Sequence, residues 1–478
     1  MTRQDERRIP IKDKLGYGIG NLSVGIAMQV VGTYLVFFST VILGIPGYLV
    51  GLAVGFSVFW DAITDPLMGY VSDITQSKRF GRRHLYLIIG SLGVSLTIFL
   101  MWIIPQNLST NIKFGLLFLD IILFKSFITV YVTPYTALGA ELSHDYHERT
   151  SIQSIKTIFF LLGLAFVSVA GLYLFFQPTL LYPHGQLNPI SYRNIGIISA
   201  LLVLISTAVC YQSTHKYIAM LNERQIDEAS GQKLKIFVES LKSTIQNKAF
   251  RAVSLCYMFN NLASAFLSNI GLHVFTYTFV LTSQQIAIIL GVQFLVSILS
   301  QPIWMILARK YDKRPSMNIG HAFSIAAGFI FVLLVLFKHQ VASNVVYFFP
   351  YAILAGFGTG ALFTIPLSMV ADTIDLDELK RGYRFEGFYF GSLTLYYKLS
   401  QAIAIFLIGV LLDLIRFDSS LVTQSEFTLT SLGMILAWGS ILSFILAYLS
   451  LRMYPLNKAN VIQIQADIAT LHHSAPID

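Results

Sequence analysis

Long apolar runs fix what this chain can become. Twelve stretches, at about residues 16–43, 48–72, 85–104, 114–138, 152–176, 193–212, 251–281, 284–308, 318–338, 344–370, 386–415 and 427–452, each approach or exceed the ~20 residues a helix needs to cross the hydrocarbon core. In lipid every backbone polar group must be satisfied internally, which leaves helices or a closed barrel. The runs are continuous rather than alternating apolar and polar, so a barrel is excluded. Composition agrees: 55% of the 478 residues are hydrophobic and 12% charged, far from soluble-domain usage. The expected fold is an all-α membrane protein with twelve transmembrane helices.

The formal net charge of +8 is spread over short segments between the apolar runs, which reads as topology determinants rather than as a nucleic-acid surface. The N-terminal arm, Lys78 to Arg83, Arg309 to Arg314 and Lys380 to Arg384 all fall on one side. That side is expected to be cytoplasmic, with both termini on it. The segment after Lys14 is too long for a signal-peptide core and lacks a cleavage pattern, so the first span is expected to be retained. Cys210 and Cys256 both lie in apolar stretches and suggest neither a disulfide framework nor a thiolate metal site.

One long polar segment divides the chain. The expected organisation is an N-terminal six-helix half (1–212), a linker with a basic amphipathic helix on the inner membrane surface (213–250), a C-terminal six-helix half (251–452) and a cytoplasmic tail (453–478). The halves echo each other. Asp65-Pro66-Leu67 before a basic loop resembles Gln301-Pro302-Ile303 before another, and Pro134 to Glu141 resembles Pro366 to Asp372. Parallel six-plus-six repeats are the signature of the major facilitator fold, with its substrate site at the midplane.

Within the second run, Asp61 and Asp65 are four residues apart and so share one helix face, with Thr64 beside them. A carboxylate at bilayer depth costs about 3 kcal/mol on insertion scales, so two together must face protein and bind positive charge. The pair is a cation-site candidate. A structural ion pair with a buried lysine from another helix is the competing reading.

The runs WDAITDPLMGYVSD, PYTALGAEL with HERT, and MVADTIDLDELKRG followed by EGFYFG resemble the glycoside-pentoside-hexuronide cation symporters of the major facilitator superfamily. Asp-Ala-Ile-Thr-Asp-Pro also resembles the sodium-dependent lysophosphatidylcholine symporters. The resemblance implies a cation site of Asp61, Thr64, Asp65 and Thr129, with Na+ held at Asp61 and Asp65. An all-oxygen cage of this kind suits sodium, with a proton as the alternative coupling ion. No other cofactor is expected.

Lys156 and Lys398 match positions where the family carries Arg and Lys, giving them a substrate or coupling role or, equally, a fixed salt bridge; Asp61 or Asp65 is the expected counter-ion of Lys398. Asp120 and Lys125, five apart, are expected to act only in helix packing. Melibiose-type relatives have sugar-binding acids where this chain has Gly25 and Val132, and a Gln where it has Leu393, although Thr394 is kept. Replacement solute contacts are expected from Tyr131, Asn260 and Asn261 beside the cavity; the competing reading for the two Asn residues is helix–helix glue.

Charge networks that close the inner gate are expected from Asp73 with Arg82 and Arg83, from Glu141 with Glu148 and Arg149, and from Asp372, Asp375 and Asp377 with Lys380 and Arg381. The expected function is cation-coupled symport of a small organic solute, a sugar or glycoside by resemblance, through alternating access. The alternative is a lysophospholipid, another amphiphile or a siderophore. A sensor that moves nothing is a further class. No paired His and Glu metal motif or recognisable nucleophile is present, so an enzyme is not expected. The partners are the solute, a monovalent cation and membrane lipid, without nucleic acid; a monomer in the plasma membrane, or the inner membrane of a bacterium, is expected.

Overall fold

The computed structural model describes residues 9–75, 77, 80–81, 83–142, 146–218, 247–381, 386–418, 421 and 423–474. Twelve long helices follow in order: α1 (Ile11–Phe37), α2 (Gly47–Ile74), α3 (His84–Met101), α4 (Thr110–Glu141), α5 (Tyr146–Ala165), α6 (Pro189–Thr214), α7 (Lys248–His273), α8 (Ser283–Tyr311), α9 (Lys313–Leu336), α10 (Phe349–Arg381), α11 (Glu386–Leu414) and α12 (Glu426–Arg452). A terminal helix, α13 (Lys458–Ser474), follows, and no strand occurs among the described residues. Eleven of the described helices are long and apolar enough to span a membrane. The long helix outside that set is α7, whose Asn260, Asn261, Ser264, Ser268 and Asn269 make it polar. Most of the expected linker helix, residues 219–246, lies outside the described residues.

Local chemistry sets the helix ends. Asn188 caps α6, accepting from the Ile190 N–H, with Pro189 at the first helical position. Asn247 caps α7 and Ser425 caps α12 in the same way. Lys113, at the start of α4, donates to the Leu43 carbonyl beyond α1, a basic group on an open helix end.

Two compact units result. The first comprises residues 1–227, 275–288 and 405–424, and the second 228–274, 289–404 and 425–478. In the first unit α1 packs on α5 and α6, and α3 and α2 flank α4. Its core is a column of tyrosines: Tyr17 and Tyr135 stack 4.7 Å apart and each hydroxyl donates to the other's carbonyl. The segment before α6 is tied to the α7–α8 connection through fully buried Gln186, which donates to Thr276 and the Leu281 carbonyl and accepts from Ser283. At the start of α2, the Gly47 and Tyr48 N–H groups donate to the Asp413 carboxylate at 3.2 and 2.9 Å. Gly47 and Gly409 permit this approach, since a Cβ on Gly47 would stand 2.7 Å from the Gly409 oxygen. In the second unit α12 packs on α7 and α9, and α10 on α9 and α13, around a core with Trp304, Met317, Tyr389 and Leu451.

Candidate functional site

The second helix presents two unlike faces. Leu52, Phe56, Phe59, Ile63 and Leu67 are exposed at helical spacing, whereas Ser57, Asp61 and Ser72 are buried. Apolar residues thus point out and polar ones in, the arrangement a membrane helix with carboxylates requires. Asp61 is 1% exposed.

α2 and α4 lie side by side, and the same register runs along both. Lys125 Nζ is 3.0 Å from Asp61 Oδ2, and Thr129 Oγ1 donates to Asp65 Oδ1 at 2.7 Å, each pair being 64 residues apart. A constant offset means parallel helices. One turn further on, a Cβ at Gly69 would meet the Thr133 methyl at 3.8 Å, and Trp60 Nε1 anchors the other end on Ser126 Oγ at 2.8 Å. Thr64 donates to the Trp60 carbonyl within its own helix, so its oxygen lone pairs remain as acceptors. Asp61, Asp65 and Thr129 are therefore brought to one α2–α4 seam, with Thr64 beside Asp65 on α2. Carboxylate and hydroxyl oxygens are the donors a hard cation takes.

Lys125, expected to act in helix packing, joins two helices: it reaches from α4 across to Asp61, the arrangement of the competing structural reading. Asp120 is buried, and neither carboxylate oxygen has a hydrogen-bond partner among the described residues. Five residues separate Asp120 and Lys125, so the two point to different faces. Lys398, expected as counter-ion of Asp61 or Asp65, is half-buried on α11.

The expected solute residues divide. Lys156, on α5, donates to Thr136 Oγ1 at 3.2 Å and lies 5.3 Å above the Tyr135 ring, with no carboxylate partner among the described residues. Tyr131, expected beside the cavity, is 1% exposed, donates to the Gly20 carbonyl and accepts from Thr207, so its hydroxyl is engaged in the core of the first unit. Asn260 is likewise internal, its Oδ1 meeting His321 Nε2 at 2.9 Å and joining α7 to α9. Both side chains hydrogen-bond across helices, the contacts that the helix-glue reading calls for. Asn261 is half-buried and Thr394 exposed, and each donates to a carbonyl of its own helix, Tyr257 and Phe390.

The positions that hold sugar-binding groups in melibiose-type relatives are closed or apolar. A Cβ at Gly25 would fall 2.3 Å from the Phe160 carbonyl oxygen, because α1 and α5 touch there through Gly25 and Gly163. Val132 packs on the tyrosine column, and Leu393 is buried in the core of the second unit.

Among the gate candidates, Arg83 and Glu141 meet, with Nη2 2.6 Å from Oε1 and Nη1 donating to Ser72. Glu148 pairs with Lys14 at 2.8 Å. Asp372 pairs with Lys313 at 2.6 Å and accepts from Tyr454. The side chains of Asp73, Arg82 and Arg149 lie outside the described residues. A repeat emerges that sequence reasoning missed: in each unit a base at the start of one helix, Arg83 or Lys313, binds the acid near the end of the next, Glu141 or Asp372.

The whole chain also resembles known proteins. Residues 16–458 match the family described as MFS/sugar transport protein. An uncharacterised symporter of Synechocystis sp. is 28% identical, covering 84% of this chain and 85% of its own. The inner membrane symporter YicJ of Escherichia coli is 25% identical over 96% and 95%. The sodium-dependent lysophosphatidylcholine symporter 1 of Gallus gallus is 23% identical over 95% and 88%. Among solved structures, a bacterial homologue of the lysosomal transporter Spinster superposes with a TM-score of 0.61 at 11% identity, covering 95% of this chain and 98% of that one. The xylose transporter XylE from E. coli gives 0.58 at 14% identity over 94% and 98%. These structures carry the fold, and the sequence relatives carry the class. The chain is a multi-pass symporter of the major facilitator type and belongs to the MFS/sugar transport protein family.

Proposed function

We propose that this symporter couples a monovalent cation, sodium by preference and a proton as the alternative, to import of a small organic solute by alternating access. The observation that carries the reading is the α2–α4 seam, where Asp61, Thr64, Asp65 and Thr129 converge on adjacent turns. Two carboxylates at bilayer depth are expensive unless they do ionic work, and the Thr129 hydroxyl directed at Asp65 supports an oxygen-lined cation site at this seam. Moving one charge through 100 mV supplies about 2.3 kcal/mol, roughly fiftyfold solute accumulation. Coupling requires that the cation raise solute affinity and, by linkage, the reverse.

For the solute, the family description favours a sugar or glycoside. The backbone contact at Gly25 and the packed Val132 and Leu393 argue against melibiose-like hydrogen bonding. That observation gives weight to a second reading, an amphiphile such as a lysophospholipid, which needs fewer hydroxyl-binding groups. A thermal-shift screen of sugars, lysolipids and organic acids with and without sodium separates the two, because a symported solute must shift the melting point in a sodium-dependent way. Uptake of the hit into proteoliposomes then tests coupling. Wild-type cation stimulation in both Asp61→Ala and Asp65→Ala would end the proposal.

A further inference from the structure

We propose that a neutral plug at Gln186 and an anionic clasp at Asp413 are two latches of the gate at the end opposite the termini, made and broken once in each transport cycle. This rests on the alternating-access reading above and names residues that perform its outer closure. The α1–α2, α5–α6, α7–α8 and α11–α12 connections each follow an odd-numbered helix, so all four lie at that end, read as external from its sparse Lys and Arg. By sequence, residues 275–288 and 405–424 belong to the second six-helix half, yet both are part of the first compact unit. Segments of the second half are thus fastened to the first half at this end, as a shut gate requires.

Gln186 is fully buried, and its amide donates to Thr276 Oγ1 at 3.0 Å and the Leu281 carbonyl at 2.9 Å and accepts from Ser283 Oγ at 2.5 Å. Tyr192 holds it from its own side by donating to the Gln186 carbonyl at 2.7 Å, and Gln284 donates back to the Phe176 carbonyl at 3.2 Å. An interface that never opened would be served as well by apolar side chains of the same shape, because a buried neutral hydrogen bond gains little over one to water. That near-balance suits a reversible latch, since water takes over the same donors and acceptors when the surfaces part. The clasp works alike. Asp413 is exposed and accepts from the Gly47 and Tyr48 N–H groups, an anion on the N-terminus of α2, while the Gly47–Gly409 backbone approach lets α2 and α11 close flush. Because α2 also carries Asp61 and Asp65, the clasp and the cation seam are two stations on one helix. Losing the three Gln186 amide bonds together corresponds to at least about a tenfold rise in the open fraction.

The test uses the full-length protein in right-side-out membrane vesicles with a membrane-impermeant maleimide. Ser283→Cys places a thiol at the plug, against a background in which Cys210 and Cys256 are buried. It should label slowly, and about tenfold faster once Gln186→Met, which keeps the volume and loses the hydrogen bonds, is added. Asp413→Asn should raise the rate in its own right, and it carries the test should Gln186→Met fail to fold. A second thiol, Thr136→Cys, sits at an exposed position near the termini end of α4 and is labelled in inside-out vesicles. Its rate should fall in the variants whose outer rate rises. An outer rate unchanged in Gln186→Met, or in Asp413→Asn, overturns that latch and leaves alternating access standing. An inner rate that fails to fall while the outer rate rises would instead remove the alternating-access reading, and this inference with it.

Discussion

Asp61→Ala and Asp65→Ala should abolish the same function while damaging the fold unequally. Asp61 is 1% exposed and paired at 3.0 Å with Lys125, whose side chain keeps 23% exposure. Removing one partner of a buried pair costs at least about 3 kcal/mol. Asp65 loses a charge-assisted bond from Thr129, but its removal also relieves repulsion from Asp61 one turn away, leaving a net cost of about 1 kcal/mol. Apparent melting temperatures in detergent should therefore fall by about 2–4 °C more for Asp61→Ala than for Asp65→Ala. Adding Lys125→Met to Asp61→Ala removes the stranded ammonium and should recover most of that difference without restoring cation-stimulated uptake. If Asp65→Ala melts at or below Asp61→Ala, or the double variant shows no recovery, the pairing does not operate as described.

Other outcomes follow from contacts elsewhere. Arg83→Gln leaves Glu141 without its guanidinium and should lower the melting temperature, while exchange of the two charges in Arg83→Glu/Glu141→Arg should restore part of the loss in the same melt. Asp413→Asn weakens the anionic cap on the start of α2 and should cost about 1 kcal/mol, read as a small drop in the denaturation midpoint. Cys210 and Cys256 are buried, so native protein should resist maleimide and react only after unfolding, which mass spectrometry reads directly. His321→Ala breaks the α7–α9 link through Asn260 and should reduce stability while leaving the sodium dependence of uptake unchanged.

Much of this architecture is written in one dimension. Helix length, the outward apolar face of α2 and the convergence of Asp61 with Asp65 all follow from hydrophobic periodicity and the cost of charge in lipid. Interhelical register does not. Lys125 sits one turn before Thr129, as Asp61 sits one turn before Asp65, and that matched spacing was the available signal, but it has meaning only once α2 and α4 are known to be parallel neighbours. Tyr131 and Asn260 show the same limit from the other direction. A hydroxyl or amide on an apolar helix looks available in sequence, and only tertiary contact reveals that Gly20 and His321 have already taken it. The ion pair of Asp372 with Lys313 was not legible because 59 residues separate the two, although Arg83 with Glu141 spans a similar 58 in the first unit.

Gly25 has an evolutionary consequence. Glycine and aspartate codons can differ by a single base, so a carboxylate at this position is close at hand genetically. Yet the α1–α5 backbone contact leaves no room for even a methyl group, the nearest carbonyl oxygen standing 2.3 Å from where one would be. The mutational path to an acid at this point of α1 must first separate the helices at Phe160 and Gly163, a change with no benefit of its own. What bars an acid at this point of α1 is thus backbone packing, which no exchange of surrounding side chains alone would relieve.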